Sequence, residues 1–112
     1  MPYLKLQSNI EIEDESKLIQ EISQLIAGEL GKPESYVMVV LEPELSLSFG
    51  GNMEPAAWVE LKSIGLSGND NNELSSVICG FLKEELGIAQ ERIYINFADI
   101  SSSNWGWNGS TF

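Results

Sequence analysis

Histidine is absent from this chain, cysteine occurs once, at Cys79, and only six residues are basic. Each shortage removes a class of function. Without histidine there is no His/Cys zinc site and no imidazole to activate a serine or cysteine nucleophile. A single cysteine excludes a disulfide within the chain, and its place on an apolar helical face reads as a core thiol rather than a reactive one. The cations Lys5, Lys17, Lys32, Lys62, Lys83 and Arg92 are scattered among 17 acidic residues, for a net charge of −11. No basic stripe exists to neutralise phosphates, which argues against nucleic-acid binding, and an anionic membrane surface would repel the chain. There is no charged-then-apolar leader and no apolar run of membrane-spanning length, so the expected setting is the cytosol.

What is present is a core. Apolar residues make up 43% of the 112, with three Trp, three Tyr and four Phe, a composition that outweighs the charge and predicts one folded domain over residues 1–112. Pro2-Tyr3-Leu4-Lys5-Leu6-Gln7 alternates as a half-buried strand. Asp14 is placed to cap a helix carrying Leu18, Ile19, Ile22, Leu25, Ile26 and Leu30, which Gly31 and Pro33 end. Tyr36 to Leu41 reads as a strand, Leu45 to Phe49 as a short extended piece, and Gly50-Gly51 as a turn.

The second half repeats this plan. Trp58 to Lys62 alternates, Asn69 to Asn72 is a turn with a cap, and Leu74, Val77, Ile78, Phe81, Leu82 and Leu86 form a second helical stripe that Gly87 ends before a strand from Arg92 to Phe97. Glu29-Leu30-Gly31 recurs as Glu85-Leu86-Gly87, 56 positions on, and Tyr3-Leu4-Lys5-Leu6 falls on Trp58-Val59-Glu60-Leu61 at an offset of 55. The pseudo-repeats run over about 1–54 and 55–112. Two β-α-β units, each with parallel strands, predict an α+β fold: a four-stranded sheet with both helices on one face. Consecutive apolar residues such as Val37 to Leu41 call for burial of the other face too, which predicts self-association; the alternative is that the Leu45 segment and the tail cover it.

Pro2 has two readings. A proline at the first position of a strand costs no ladder hydrogen bond, the plain structural reading. Proline is also small enough for an initiator methionine before it to be removed, which would leave a secondary amine. Lodged in an apolar site, such an amine loses proton affinity and becomes a candidate base.

The tail Asn104-Trp105-Gly106-Trp107-Asn108-Gly109-Ser110-Thr111-Phe112 closely resembles the carboxyl terminus of the macrophage migration inhibitory factor family of the tautomerase superfamily. Gly31-Lys32-Pro33, Phe49-Gly50-Gly51, Glu54-Pro55, Ser63-Ile64-Gly65, Cys79-Gly80 and Tyr94-Ile95-Asn96 match in order and spacing, so the resemblance spans essentially the whole chain. It implies a homotrimer with an active site at each subunit boundary, where Pro2, Lys32 and Ile64 come from one subunit and Tyr94 and Asn96 from its neighbour. It implies keto–enol tautomerisation of phenylpyruvate-type and dopachrome-like compounds, on a small aromatic 2-oxo acid, with no metal or organic cofactor. Animal members are also receptor-binding cytokines, exported without a signal peptide.

The residue types suit that chemistry. A tautomerase base needs a pKa near the working pH, and an apolar surround and Lys32 would both lower that of the Pro2 amine. Raising its free fraction at pH 7 from about a tenth to about nine-tenths takes about 2.7 kcal/mol of differential destabilisation. The resemblance gives Lys32 the substrate carboxylate, although a cation after a helix C-terminus is also favoured by the macrodipole alone. Ile64 would offer its backbone N–H to the substrate oxygen. Tyr94 and Asn96, two apart on a strand, would share a face. Tyr3, Trp107 and Phe112 would bind a phenyl ring and keep the amine dry.

Three departures stand out. The Cys-x-x-Cys pair of the vertebrate cytokines reads Ala56-Ala57-Trp58-Val59 here, so no thiol redox activity can operate. Trp105 and Tyr3 replace smaller aliphatics, and the acidic stretch Glu11 to Glu15 puts receptor recognition in doubt. These features fit a homologue from outside the vertebrates. The alternatives to a tautomerase are a cytokine-like signalling ligand with a vestigial pocket, and a ferredoxin-like binding module without chemistry.

Overall fold

Alternation decides the first strand: in β1 (Tyr3–Ser8) Leu4, Leu6 and Ser8 are buried, while Tyr3, Lys5 and Gln7 face the other way. This computed structural model describes residues 1–66 and 70–112. Helix α1 (Glu15–Leu30) starts at Asp14, whose side chain accepts from the Lys17 N–H, and buries Leu18, Ile22, Ile26 and Leu30. Gly31 ends it in the left-handed region at φ 63°, which lets the Gly31 and Lys32 N–H groups both reach the Ala27 carbonyl. Strand β2 (Met38–Glu42) follows. The second half supplies β3 (Ala57–Ile64), α2 (Asn71–Leu86) and β4 (Ile93–Ile100). A two-strand hairpin, β5 (Gly106–Trp107) and β6 (Ser110–Thr111), closes the chain. Its turn is Asn108-Gly109, at φ 53° and 81°, the geometry that a two-residue hairpin turn asks of an Asn-Gly pair.

The main sheet has the order β2-β1-β3-β4. Strands within each half are parallel, β1 with β2 and β3 with β4, and the central pair β1/β3 is antiparallel. Ile22 and Ile26 of α1 and Ile78, Phe81 and Leu82 of α2 pack against Leu4, Leu6 and Val59, so both helices lie on one face. Burying each such side chain contributes about 1.5–3 kcal/mol, which makes this layer the source of most of the stability. Cys79 belongs to it, and burial pushes its thiol up from the ordinary range. Among the described residues no helix is long and apolar enough to cross a membrane.

Four expectations are corrected or trimmed. The second strand starts at Met38, because Pro33 opens a 3₁₀ turn over Glu34–Tyr36 that uses the Tyr36 and Val37 N–H groups. The short extended piece Leu45 to Phe49 makes a single bridge, Phe49 to Asn52, and pairs with no strand. Its neighbourhood is tied down locally instead: Glu44 and Leu45 donate to Ile10 and Ser8 carbonyls, and Asn9 donates to the Leu47 carbonyl. Asp70 caps α2, accepting from Asn72 and Glu73, while Asn69 of the expected turn lies outside the described residues. The uncovered sheet face is also less apolar than Val37 to Leu41 suggested. It is mixed in character: Met38 and Val40 of β2, Tyr3 of β1, Trp58 and Ile64 of β3 and Tyr94 of β4 lie there beside Lys5, Glu60 and Lys62 of the central strands. Lys5 bridges Glu42 (3.6 Å) and Glu60 (3.9 Å), and Lys62 approaches Glu60 at 3.9 Å. Partly exposed pairs of this kind add little stability, typically under about 1 kcal/mol each.

Candidate active site at the Pro2 end of the sheet

The start of β1, the 3₁₀ turn before β2, the end of β3 and the tail converge at one end of the sheet. They enclose a cavity of about 650 Å³ lined by Pro2, Tyr3, Tyr36, Lys62, Trp107 and Phe112 among others. Pro2 is fully buried. Its carbonyl accepts from the Met38 N–H at 3.0 Å, which anchors the start of the chain to β2. Three aromatic rings form the wall. Tyr36 meets Trp107 edge-on at 5.6 Å and Phe112 edge-on at 6.2 Å, and Trp107 stacks on Phe112 at 5.7 Å. The Asn108-Gly109 turn makes that stack, since it folds β6 and the last residue back beside β5.

With Met1 attached the Pro2 nitrogen is an amide, and the terminal amine is that of Met1. It donates to the Tyr36 carbonyl at 2.8 Å. Burial and, second, the Lys32 ammonium hold this amine below its ordinary range. An amine at the mouth of this cavity therefore meets the two influences that a proline base needs. Lys32 makes no ion pair among the described residues, and its backbone N–H is used in the α1 cap.

The other expected residues lie elsewhere. Ile64 is the last residue of β3, opposite Ile100 of the cavity wall, and precedes Gly65 at φ 74°. Tyr94 and Asn96 point to the open face, Asn96 at mid-sheet across from Glu60 and Tyr94 at the far end: Tyr94 pairs with Trp58, whereas Tyr3 pairs with Lys62. Four residues of β3 separate those levels, about 13 Å of strand. One protomer does not bring Tyr94 and Asn96 to Pro2. At the far end, Arg92 donates to the carbonyls of Phe49, Asn52, Glu54 and Pro55, and so holds Phe49 against Tyr94 with ring centroids 4.7 Å apart.

Sequence reasoning missed Tyr36, Met38 and Lys62 as cavity residues. Tyr36 is signalled by Pro33, since a 3₁₀ turn three residues long delivers it beside β1. Lys62 becomes visible only through the β1/β3 register. Among the described residues no group of three or more His, Cys, Asp or Glu side chains is placed to hold a metal ion.

A paired β-α-β sheet closed at one end by a tail hairpin over a buried proline defines the class of protein. The family model described as macrophage migration inhibitory factor (MIF) matches residues 1–112. A MIF homolog from Trichuris trichiura is 41% identical over 114 residues, covering 100% of both chains. The factor from Meriones unguiculatus is 42% identical over 96 residues, 85% of this chain and 84% of its own. The crystal structure of a MIF homologue from Prochlorococcus marinus superposes with a TM-score of 0.92 at 45% identity, covering 98% of each chain. The chain belongs to the macrophage migration inhibitory factor family, and its similar relatives include proteins from outside the vertebrates.

Proposed function

We propose that the protein is a keto–enol tautomerase for phenylpyruvate-type 2-oxo acids, acting through the Pro2 amine once Met1 is removed. The observation that carries this reading is a buried Pro2 at an aromatic-walled cavity where a terminal amine is held below its ordinary range. The free amine takes a proton from the carbon next to the carbonyl and returns it on the other side of the tautomeric system. Lys32 holds the carboxylate and offsets charge on the enol oxygen, helped by the Ile64 N–H. Tyr3, Trp107 and Phe112 bind the ring. Dopachrome-like compounds suit the same pocket.

The working unit in this reading is a homotrimer, in which a neighbour supplies Tyr94 and Asn96. Two features support it. Tyr94 and Asn96 do not line the cavity of their own protomer, and large apolar side chains stand exposed at both ends: Met38 and Trp107 at one, Met53 and Tyr94 at the other. The chain 1–112 acts as one tautomerase-like domain, and the reaction calls for no cofactor. The signalling alternative gains no separate support here, and thiol redox chemistry is closed to it by Ala56 and Val59.

The test compares ketonisation of enol phenylpyruvate by the protein with Met1 removed and with Met1 retained, each verified by intact mass. Activity in the first and its loss in the second is expected; equal rates would sink the proline mechanism.

A further inference from the structure

Lys62 is a second cation at the cavity that the proposed reaction leaves unused. It is also the one lysine or arginine among the cavity's lining residues. Its position follows from the register. Lys62 stands directly across from Tyr3 in the β1/β3 pair, with its Nζ 5.9 Å from the Tyr3 ring centroid. Its neighbour on β4 is Ala98, too small to cover it. Its ion pair is long: Glu60 Oε1 lies 3.9 Å away, while the carboxylate's Oε2 accepts from the Trp58 indole N–H at 3.0 Å and faces Lys5 at 3.9 Å. The Lys62 side chain remains 44% exposed.

Lys32 and Lys62 belong to different elements. Lys32 follows the C-terminal cap of α1 and acts on the Met1 amine, whereas Lys62 stands on the open face of β3 and lines the cavity. A monoanionic aryl acid would engage one of them and leave the other in water. A substrate with a carboxylate at each end would engage both. The protein as a whole repels anions, but screening confines that field to about 8 Å at physiological salt, so cations at the cavity decide which anion stays.

We propose that Lys62 is a specificity-determining residue that selects enolisable 2-oxo acids carrying a second carboxylate remote from the reacting carbon. This rests on the tautomerase reading for its turnover, and on the geometry of Lys62 alone for its binding preference.

The experiment uses the Met1-free protein and two enols that differ by one charge, phenylpyruvate and its para-carboxyphenyl counterpart. The readout is the ratio of their kcat/KM values, in which any effect common to both substrates cancels. Lys62→Gln is expected to lower the dianion-to-monoanion ratio about tenfold, the loss of one close charge pair, and Lys62→Arg to restore most of it. Rising ionic strength should lower the ratio more in the parent protein than in Lys62→Gln. A ratio unchanged within about twofold in Lys62→Gln overturns the proposal. If the parent turns over neither enol, the tautomerase reading fails, and selectivity is then read from calorimetric binding of phenyllactate and its para-carboxyphenyl counterpart. A tenfold drop in that affinity ratio in Lys62→Gln still supports the role of Lys62, and an unchanged ratio refutes it.

Discussion

The two halves of the chain share a backbone and differ in chemistry. Asp14 and Asp70 cap helices of 16 residues each, and Gly31 and Gly87 end them at φ 63° and 69°. Pro33 and Ala89 then take nearly the same conformation, φ −61° ψ 134° and φ −60° ψ 135°, and each opens a 3₁₀ turn that leads into a strand. At the same offset of 56, however, Lys32 answers to the fully buried Ile88, Tyr36 to Arg92, Met38 to Tyr94 and Val40 to Asn96. Helix punctuation is what the duplication keeps, and the residues just after each helix are where the halves diverge. Because β1 and β3 are antiparallel, the equivalent segments emerge at opposite ends of the sheet. One end carries Pro2 and its aromatic wall; the other carries Tyr94 and the Arg92 clamp. In the proposed trimer each site joins one end of a subunit to the other end of its neighbour.

The largest effect should separate the halves outright. Pro2→Gly is expected to lower kcat for enol phenylpyruvate by about a hundredfold or more, the range for removing a well-placed base. The equivalent change in the second half, Ala57→Gly, loosens a buried strand position but touches no reacting atom, so the rate per folded molecule should stay near that of the parent. Ketonisation rates normalised to folded fraction by circular dichroism make the comparison. Next come the matched core positions Ile26 and Leu82, both buried between helix and sheet. Ile26→Ala and Leu82→Ala should each cost about 2–5 kcal/mol in urea unfolding at one fixed protein concentration. A loss in one half less than half that in the other breaks the structural equivalence.

These positions also mark what can be read from sequence. Both helices, their caps and the alternating strands were legible because each rests on local chemistry: a carboxylate ahead of an apolar stripe, a glycine after it, a period of two. The glycine-ended repeat gave the parallel pairing within each half as well, but not the antiparallel β1/β3 centre, which no local signal marks. The start of β2 was misplaced because Pro33 acts over three residues, and a continuous apolar run hides the 3₁₀ turn inside it. The mixed character of the open face is not legible in Val37 to Leu41, because that run lies on an edge strand and does not speak for Lys5, Glu60 and Lys62 in the centre. Within the site, Pro2, Tyr3, Trp107 and Phe112 meet at one cavity. Lys62 was out of reach, since nothing local says that it faces Tyr3 from 59 positions away.

Smaller effects sharpen the comparison at the caps. Asp70 accepts from two N–H groups, of Asn72 and Glu73, whereas Asp14 accepts from Lys17 alone. Asp14→Ala should cost about 1 kcal/mol and Asp70→Ala closer to 2, read from denaturant midpoints. The reverse order would mean that these side-chain bonds do not set the strength of the two caps.

The smallest effect concerns the position where the halves differ most, Lys32 against Ile88. Burial first, and Lys32 second, lower the Met1 amine. Folding therefore releases protons from this group, and the unfolded chain binds more of them between the depressed and the ordinary value. The ammonium form is a penalty on the folded state that is fully present below the depressed value and fades as pH rises to the ordinary one. Stability of the Met1-retaining form should accordingly rise with pH across that window. The change will be slight, because the amine is largely solvated. Lys32→Met removes the second cause and leaves the first, so the amine, titrated by NMR, should move part of the way back to its ordinary range. In the Met1-free form the acid limb of the kcat/KM profile should shift to higher pH in the same variant, because the Pro2 amine would then hold its proton longer. Lys32→Met also removes the proposed carboxylate partner and lowers the plateau, so the position of the limb is the informative quantity, not its height. A limb that stays in place would leave burial alone as the cause of a lowered proline.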